Sequence, residues 1–263
     1  MKNFNKIYKL LLVLPLMFMV GCDDSDDIVD VFTKTTTAAQ SNVFIETDDT
    51  HADIVTTANY LEATTVTAGV NNAPDSDITV SFSVTRNGST AILGQHYTVS
   101  DATILSGENY GSSEITFTAS GVFDVSVASA SNGSLVVDNK VSFEVDTYEK
   151  ITFRIDWEDT NPAFYDYDLY LFEGNQDFTT LIDNTFASTP YEVLELDSLP
   201  LGESSLFIDD WWDDNAGTPV TLSVFTNDGR FSFDVVMDMD KWVLLINTAD
   251  AGGGLQSYTL TAL

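Results

Sequence analysis

The sequence predicts an all-β chain folded as two antiparallel β-sandwiches. Three observations lead there. Beyond residue 41 no stretch convincingly repeats apolar side chains at i, i+3, i+4 and i+7, the spacing that lets a helix bury one face. Apolar and polar residues instead alternate with period two in one run after another, as in Ile78-Thr79-Val80-Ser81-Phe82-Ser83-Val84, which is how a strand with one buried face reads. The runs are short, and turn pairs such as Asn87-Gly88 and Asn132-Gly133 fall between them. Short strands at such spacing predict sandwiches.

The chain opens on a segment that the predicted fold does not include. Lys2, Lys6 and Lys9 precede an apolar run of eleven residues, Leu10 to Val20, which ends at Gly21-Cys22. The run falls short of the roughly 20 residues of a spanning helix and fits the core of a cleaved secretory signal. Cys22 is the only cysteine. Met19-Val20-Gly21-Cys22 resembles the lipobox of bacterial lipoproteins. The resemblance implies that residues 1–21 are removed and that Cys22 is acylated as the new N-terminus. Two or three acyl chains, at about 0.8 kcal/mol per buried CH₂, attach such a protein to a bilayer without a span.

Residues 22–41 are rich in Asp, Thr and Ala with little periodicity, and read as a flexible tether. Asp23, Asp24, Asp26 and Asp27 directly follow the cysteine. This acidic run resembles the export signal of Bacteroidota surface lipoproteins, which implies an outer-membrane location facing the cell exterior. With Cys22 taken by lipid, no disulfide remains to staple the fold, so an exported chain depends on core packing or metal ions.

The first predicted sandwich spans 42–147. After Ile78 to Val84 come Ala91-Ile92-Leu93-Gly94-Gln95-His96-Tyr97-Thr98, then Ile104-Leu105-Ser106-Gly107-Glu108 and Ile115-Thr116-Phe117. Over about 40 residues this resembles the Calx-beta type of Ig-like sandwich. His96 stands where that family has Asp, so the resemblance carries the fold and no metal site. Val141, Phe143 and Val145 alternate in a last strand, and a boundary is expected at Asp146 to Lys150, a single larger jelly roll being the alternative.

The second predicted sandwich spans 148–263. Alternation marks Ile151-Phe153-Ile155-Trp157, Val220-Leu222-Val224 and Phe231-Phe233-Val235-Met237, the last two joined by Asn227-Asp228-Gly229 as in a hairpin. The stretch from Ile151 to Asp159 with Asp166-Tyr167-Asp168-Leu169-Tyr170-Leu171-Phe172 resembles the start of the pre-peptidase C-terminal, jelly-roll-like β-sandwich of exported bacterial proteins. Those domains are accessory, binding surfaces or calcium without catalysing.

Two groups of residues carry chemistry. Asp156, Asp159, Asp166 and Asp168 occupy a strand end, a loop and the start of the next strand, where carboxylates and loop carbonyls supply the six to eight oxygens that Ca²⁺ takes. Against this, 41 acidic residues produce such groupings by chance. Asp209-Asp210-Trp211-Trp212-Asp213-Asp214 sets two indoles among four acids. Trp211 and Trp212, with Asp210 and Asp213, form a candidate sugar-stacking site; the plainer reading is one core Trp beside a solvated turn.

Charge and motifs exclude much else. A net charge of −31 repels phosphate backbones, which excludes nucleic-acid binding. The acidity is shared: 19 acidic and 3 basic residues in 23–147, against 22 and 4 in 148–263. Neither His51 nor His96 sits in a catalytic motif, and no G-x-S-x-G, H-E-x-x-H or phosphate loop occurs. The expectation is therefore a lipid-anchored, non-catalytic binding or structural accessory module, stabilised by calcium, with an outer-membrane partner protein or a polysaccharide as its ligand. A glycan-binding lipoprotein of a polysaccharide-uptake system is the alternative, and a cryptic hydrolase the third.

Overall fold

The computed structural model describes residues 41–46, 55–136, 138–157, 166–186, 191–211, 217–237 and 239–263. Within them the chain is all-β. Eleven strands precede the expected boundary: β1 (Asn42–Ile45), β2 (Val55–Ala58), β3 (Ala63–Val70), β4 (Ile78–Arg86), β5 (Ser89–Thr90), β6 (Tyr97–Val99), β7 (Ala102–Ile104), β8 (Tyr110–Phe117), β9 (Gly121–Ala130), β10 (Ser134–Leu135) and β11 (Lys140–Val145). They form two sheets, β10-β1-β3-β8-β6 and β2-β11-β9-β4-β5, with β7 also paired to β4.

The alternation in the sequence places the core. Ile78, Val80 and Val84 of β4 are buried with Phe123 and Val125 of β9 and Ile115 and Phe117 of β8. Asn87 and Gly88 both take positive φ, 49° and 76°, as the tight turn between β4 and β5 requires. The sheets are antiparallel except at two edges, where β1 lies parallel to β10 and β2 parallel to β11. These parallel edges depart from the purely antiparallel expectation. They arise because two consecutive short strands enter opposite sheets, each beside a strand from the end of the same half.

Nine strands follow: β12 (Ile151–Trp157), β13 (Tyr167–Glu173), β14 (Leu181–Thr185), β15 (Tyr191–Leu196), β16 (Gly202–Asp210), β17 (Thr218–Thr226), β18 (Gly229–Met237), β19 (Lys241–Gly252) and β20 (Leu255–Ala262). Their sheets are β15-β12-β17-β18 and β14-β13-β16-β19-β20. Every pairing in them is antiparallel. Ile151, Phe153 and Ile155 pack between the sheets against Leu169, Leu171, Leu206, Ile208, Leu222, Val224 and Leu244. Asn227-Asp228 is the turn of the β17–β18 hairpin, with Thr226 opposite Gly229.

That turn also joins the two sandwiches. Ser120 N–H donates to the Asn227 carbonyl at 3.1 Å, and Arg230 N–H to the Gln95 carbonyl at 2.7 Å. Tyr60 Oη donates to the Thr226 carbonyl at 2.8 Å, and the Tyr60 ring stacks on Tyr148 with centroids 4.2 Å apart. Gly229, at φ +135°, leaves no room for a side chain, since a Cβ there would stand 2.6 Å from the Gln95 carbonyl oxygen.

Candidate binding face

The strand β13 is apolar on both faces. Tyr167, Leu169 and Leu171 enter the core, so the alternate residues Asp168, Tyr170 and Phe172 turn to the outer face of their sheet. Strand register then assembles a row. Tyr170 lies opposite Phe207 of β16, and Phe207 opposite Trp242 of β19.

These rings touch as one group. Phe207 and Trp242 have centroids 5.1 Å apart, and Phe172 and Trp242 5.6 Å. Phe178, from the loop between β13 and β14, lies across Phe172, Phe207 and Trp242 at 5.2, 5.1 and 4.6 Å. Phe186 meets Tyr170 edge-on at 5.7 Å. The inner rings pack against one another, while Phe178 and Phe186 remain 58% and 64% exposed.

Carboxylates border the row. Asp168 lies opposite Asp209, one step along the strands from the Tyr170–Phe207 pair. Asp240 caps the neighbouring strand end, its Oδ1 accepting from Asp210 N–H at 2.9 Å. Asp168 is 4% exposed, and among the described residues no donor or cation reaches its carboxylate. Burial, with the negative charges of Asp166, Glu192 and Asp209, pushes its pKa up to about 7. Burial also raises the Asp166 carboxyl. The Tyr170 hydroxyl is raised by burial and by Asp168, Asp209 and Asp240.

The sequence-predicted residues distribute unevenly about this face. Asp166 and Asp168 adjoin it. Asp156 does not, because β12 belongs to the opposite sheet, where Arg154 Nη2 donates to Asp156 Oδ1 at 2.6 Å. The Arg154 guanidinium also lies over the Tyr191 ring, 4.5 Å from its centroid. Among the described residues no three His, Cys, Asp or Glu side chains are gathered as a metal site. Trp211 is 62% exposed, held at the end of β16 by its N–H donating to the Asp166 carbonyl at 3.1 Å, while Asp210 is buried. Cys22, Asp23, Asp24, Asp26, Asp27, Asp159, Trp212 and Asp213 lie outside the described residues.

Local alternation does not reveal the aromatic row, although β13 carries a signal for it. In Tyr167 to Phe172 both alternating sets are large and mostly apolar, more than one buried face accounts for. His96, the one histidine among the described residues, has its Nδ1 occupied by the Ile92 N–H at 3.0 Å, and burial with Arg86 nearby holds its pKa down.

No family model and no curated protein matches the chain. Among solved structures, a Salmonella enterica SafA pilin in complex with the SafB chaperone is similar at 12% identity, over 74% of this chain and 96% of that one, with a TM-score of 0.25. The fold assignment rests on the sheets themselves.

Proposed function

We propose that the chain is a lipid-anchored protein of the outer-membrane surface that binds without catalysing, and that the outer face of the β14-β13-β16-β19-β20 sheet carries the binding. The observation that supports this is the aromatic row Tyr170–Phe207–Trp242, roofed by Phe178 and bordered by Asp168, Asp209 and Asp240. Flat rings meet the C–H faces of pyranose sugars, and carboxylates beside them accept hydrogen bonds from ring hydroxyls. A neutral glycan is the ligand class this favours, because an anionic polymer meets repulsion from a chain of net charge −31. The test is affinity electrophoresis of the mature protein through neutral polysaccharides. Retardation that Trp242→Ala abolishes supports the reading; migration unaffected by every polysaccharide would remove it.

A second reading concerns calcium. Asp168, buried beside the like charges of Asp166 and Asp209, is the kind of carboxylate a hard cation stabilises. Its test is thermal melting in calcium and in chelator.

A further inference from the structure

The edge of the second sandwich formed by β20 is unlike the others. It ends its sheet beyond β19, and among the described residues nothing pairs with its outer side. Sheets ordinarily blunt such edges with charge, proline, brevity or a bulge. Elsewhere in this molecule they do: β15 carries Glu192 and Glu195, β18 carries Arg230 and Asp234, β14 is five residues with Asp183, and β2, β5, β6 and β10 have two to four residues each. By contrast β20 runs for eight residues, Leu255–Ala262, with no charge and no proline.

The direction of its free groups follows from one bond. Leu263 N–H donates to the Val243 carbonyl at 3.1 Å. In an antiparallel pair, residues bonded to the neighbour alternate with residues whose N–H and C=O point away. Counting back from Leu263, residues Thr261, Thr259 and Ser257 bond to β19. Gln256, Tyr258, Leu260 and Ala262 then turn their main-chain groups to the open side. Tyr258 and Leu260 pack on the core, which holds the edge extended before anything docks, and Thr259 and Thr261 stand exposed on the other face.

We infer that β20 is a strand-addition site, which receives an extended segment of another protein, neutral or basic in its docking strand, as one more strand of the sheet. Charge selects that occupant. Two copies of a chain at −31 repel one another, whereas a neutral or basic segment meets no such opposition. The site is a sheet edge and not the aromatic face, so it stands or falls separately from glycan binding.

The experiment uses the full mature protein and, as probe, a short synthetic peptide of alternating Thr and Val with Lys at both ends. Residue-resolved amide exchange is expected to slow by roughly tenfold at Tyr258, Leu260 and Ala262 when the peptide saturates. The same peptide N-methylated at every residue, which leaves neither edge able to donate, is expected not to bind. Ala262→Pro removes an outward donor without touching the β19 ladder, and with Thr259→Lys it is expected to weaken binding by roughly tenfold at unchanged circular dichroism. Slowing confined to other strands, equal binding of the N-methylated peptide, or no slowing up to the peptide's solubility would overturn the inference. So would a concentration-dependent dimer that Ala262→Pro dissolves, since the occupant would then be a second copy.

Discussion

Arg86, at the end of β4 in the first sandwich, donates through Nη2 to the carbonyl of Asn227 in the second, at 3.1 Å. The same guanidinium donates through Nε to the Ser120 carbonyl at 2.7 Å and stands 3.7 Å from the Asp228 carboxylate. One side chain thus holds the β9 end of its own sandwich and the hairpin turn of the other. The carbonyl bonds matter most here, because Asp228 is exposed and a solvated ion pair contributes little.

Arg86→Met is expected to lower stability by about 2–3 kcal/mol and to uncouple the sandwiches. The check is urea unfolding followed by tryptophan fluorescence, which reports the second sandwich through Trp157, Trp211 and Trp242, against circular dichroism of the whole. Coincident transitions in the variant would contradict the coupling role.

Gly229→Ala tests the same joint from the other side. Its Cβ would fall 2.6 Å from the Gln95 carbonyl oxygen, and φ +135° suits no side chain. A loss of roughly 2–4 kcal/mol, larger than for Gly217→Ala, is expected. At Gly217, also at positive φ, a Cβ meets nothing within 4 Å, so chemical denaturation of the two variants separates crowding from backbone strain.

Asp168 gives the molecule a pH dependence. Its carboxyl titrates near pH 7 when folded, against an ordinary value of 3.8. The folded state therefore holds the proton more tightly than the unfolded one. The contribution of this group is greatest below about pH 4 and is lost as pH rises through 7. Asp168→Asn should remove the dependence, so that wild type loses roughly 2–4 kcal/mol relative to the variant between pH 4 and pH 8. Parallel stability curves for the two proteins would show that Asp168 ionises normally.

Calcium at millimolar concentration, acting on a site of about 10⁻⁴ M affinity, is expected to stabilise the protein by roughly 1–2 kcal/mol. Wild-type melting should rise accordingly, and Asp168→Asn melting should not. Identical melting of wild type in calcium and in chelator would rule the cation out.

Cys22→Ser is expected to release the protein from the membrane fraction of its native cells. Protease added to intact cells is expected to remove the wild type. Protection from protease would place the chain on the inner side of its membrane.

Much of the fold was legible because alternation is local. Ile78 to Val84, Ile151 to Trp157 and the Asn227-Asp228 hairpin each carry their strand pattern within a few residues. What pairs with what across the molecule was not legible. Arg86 and Asn227 are 141 residues apart and meet through main-chain carbonyls, which leave no trace in side-chain chemistry. Asp156 and Asp168 looked like neighbours in sequence, yet adjacent strands entered opposite sheets and Arg154 took up Asp156. The aromatic face needed the register of three strands, which brings Tyr170, Phe207 and Trp242 into line from positions far apart.

The joint between the sandwiches is chemically uneven. Some of its groups are fixed by identity: the guanidinium of Arg86 and the hydroxyl of Tyr60 in the first sandwich, and the bare α-carbon of Gly229 in the second. Others, at Ser120 and Gln95 in the first and Thr226 and Asn227 in the second, enter it through backbone oxygens that nearly any residue supplies. Mutational drift should accordingly be tolerated at Asn227 and Gln95 while the relative orientation of the sandwiches is inherited intact, so that descendants of this chain could diverge widely in surface character on an unchanged frame.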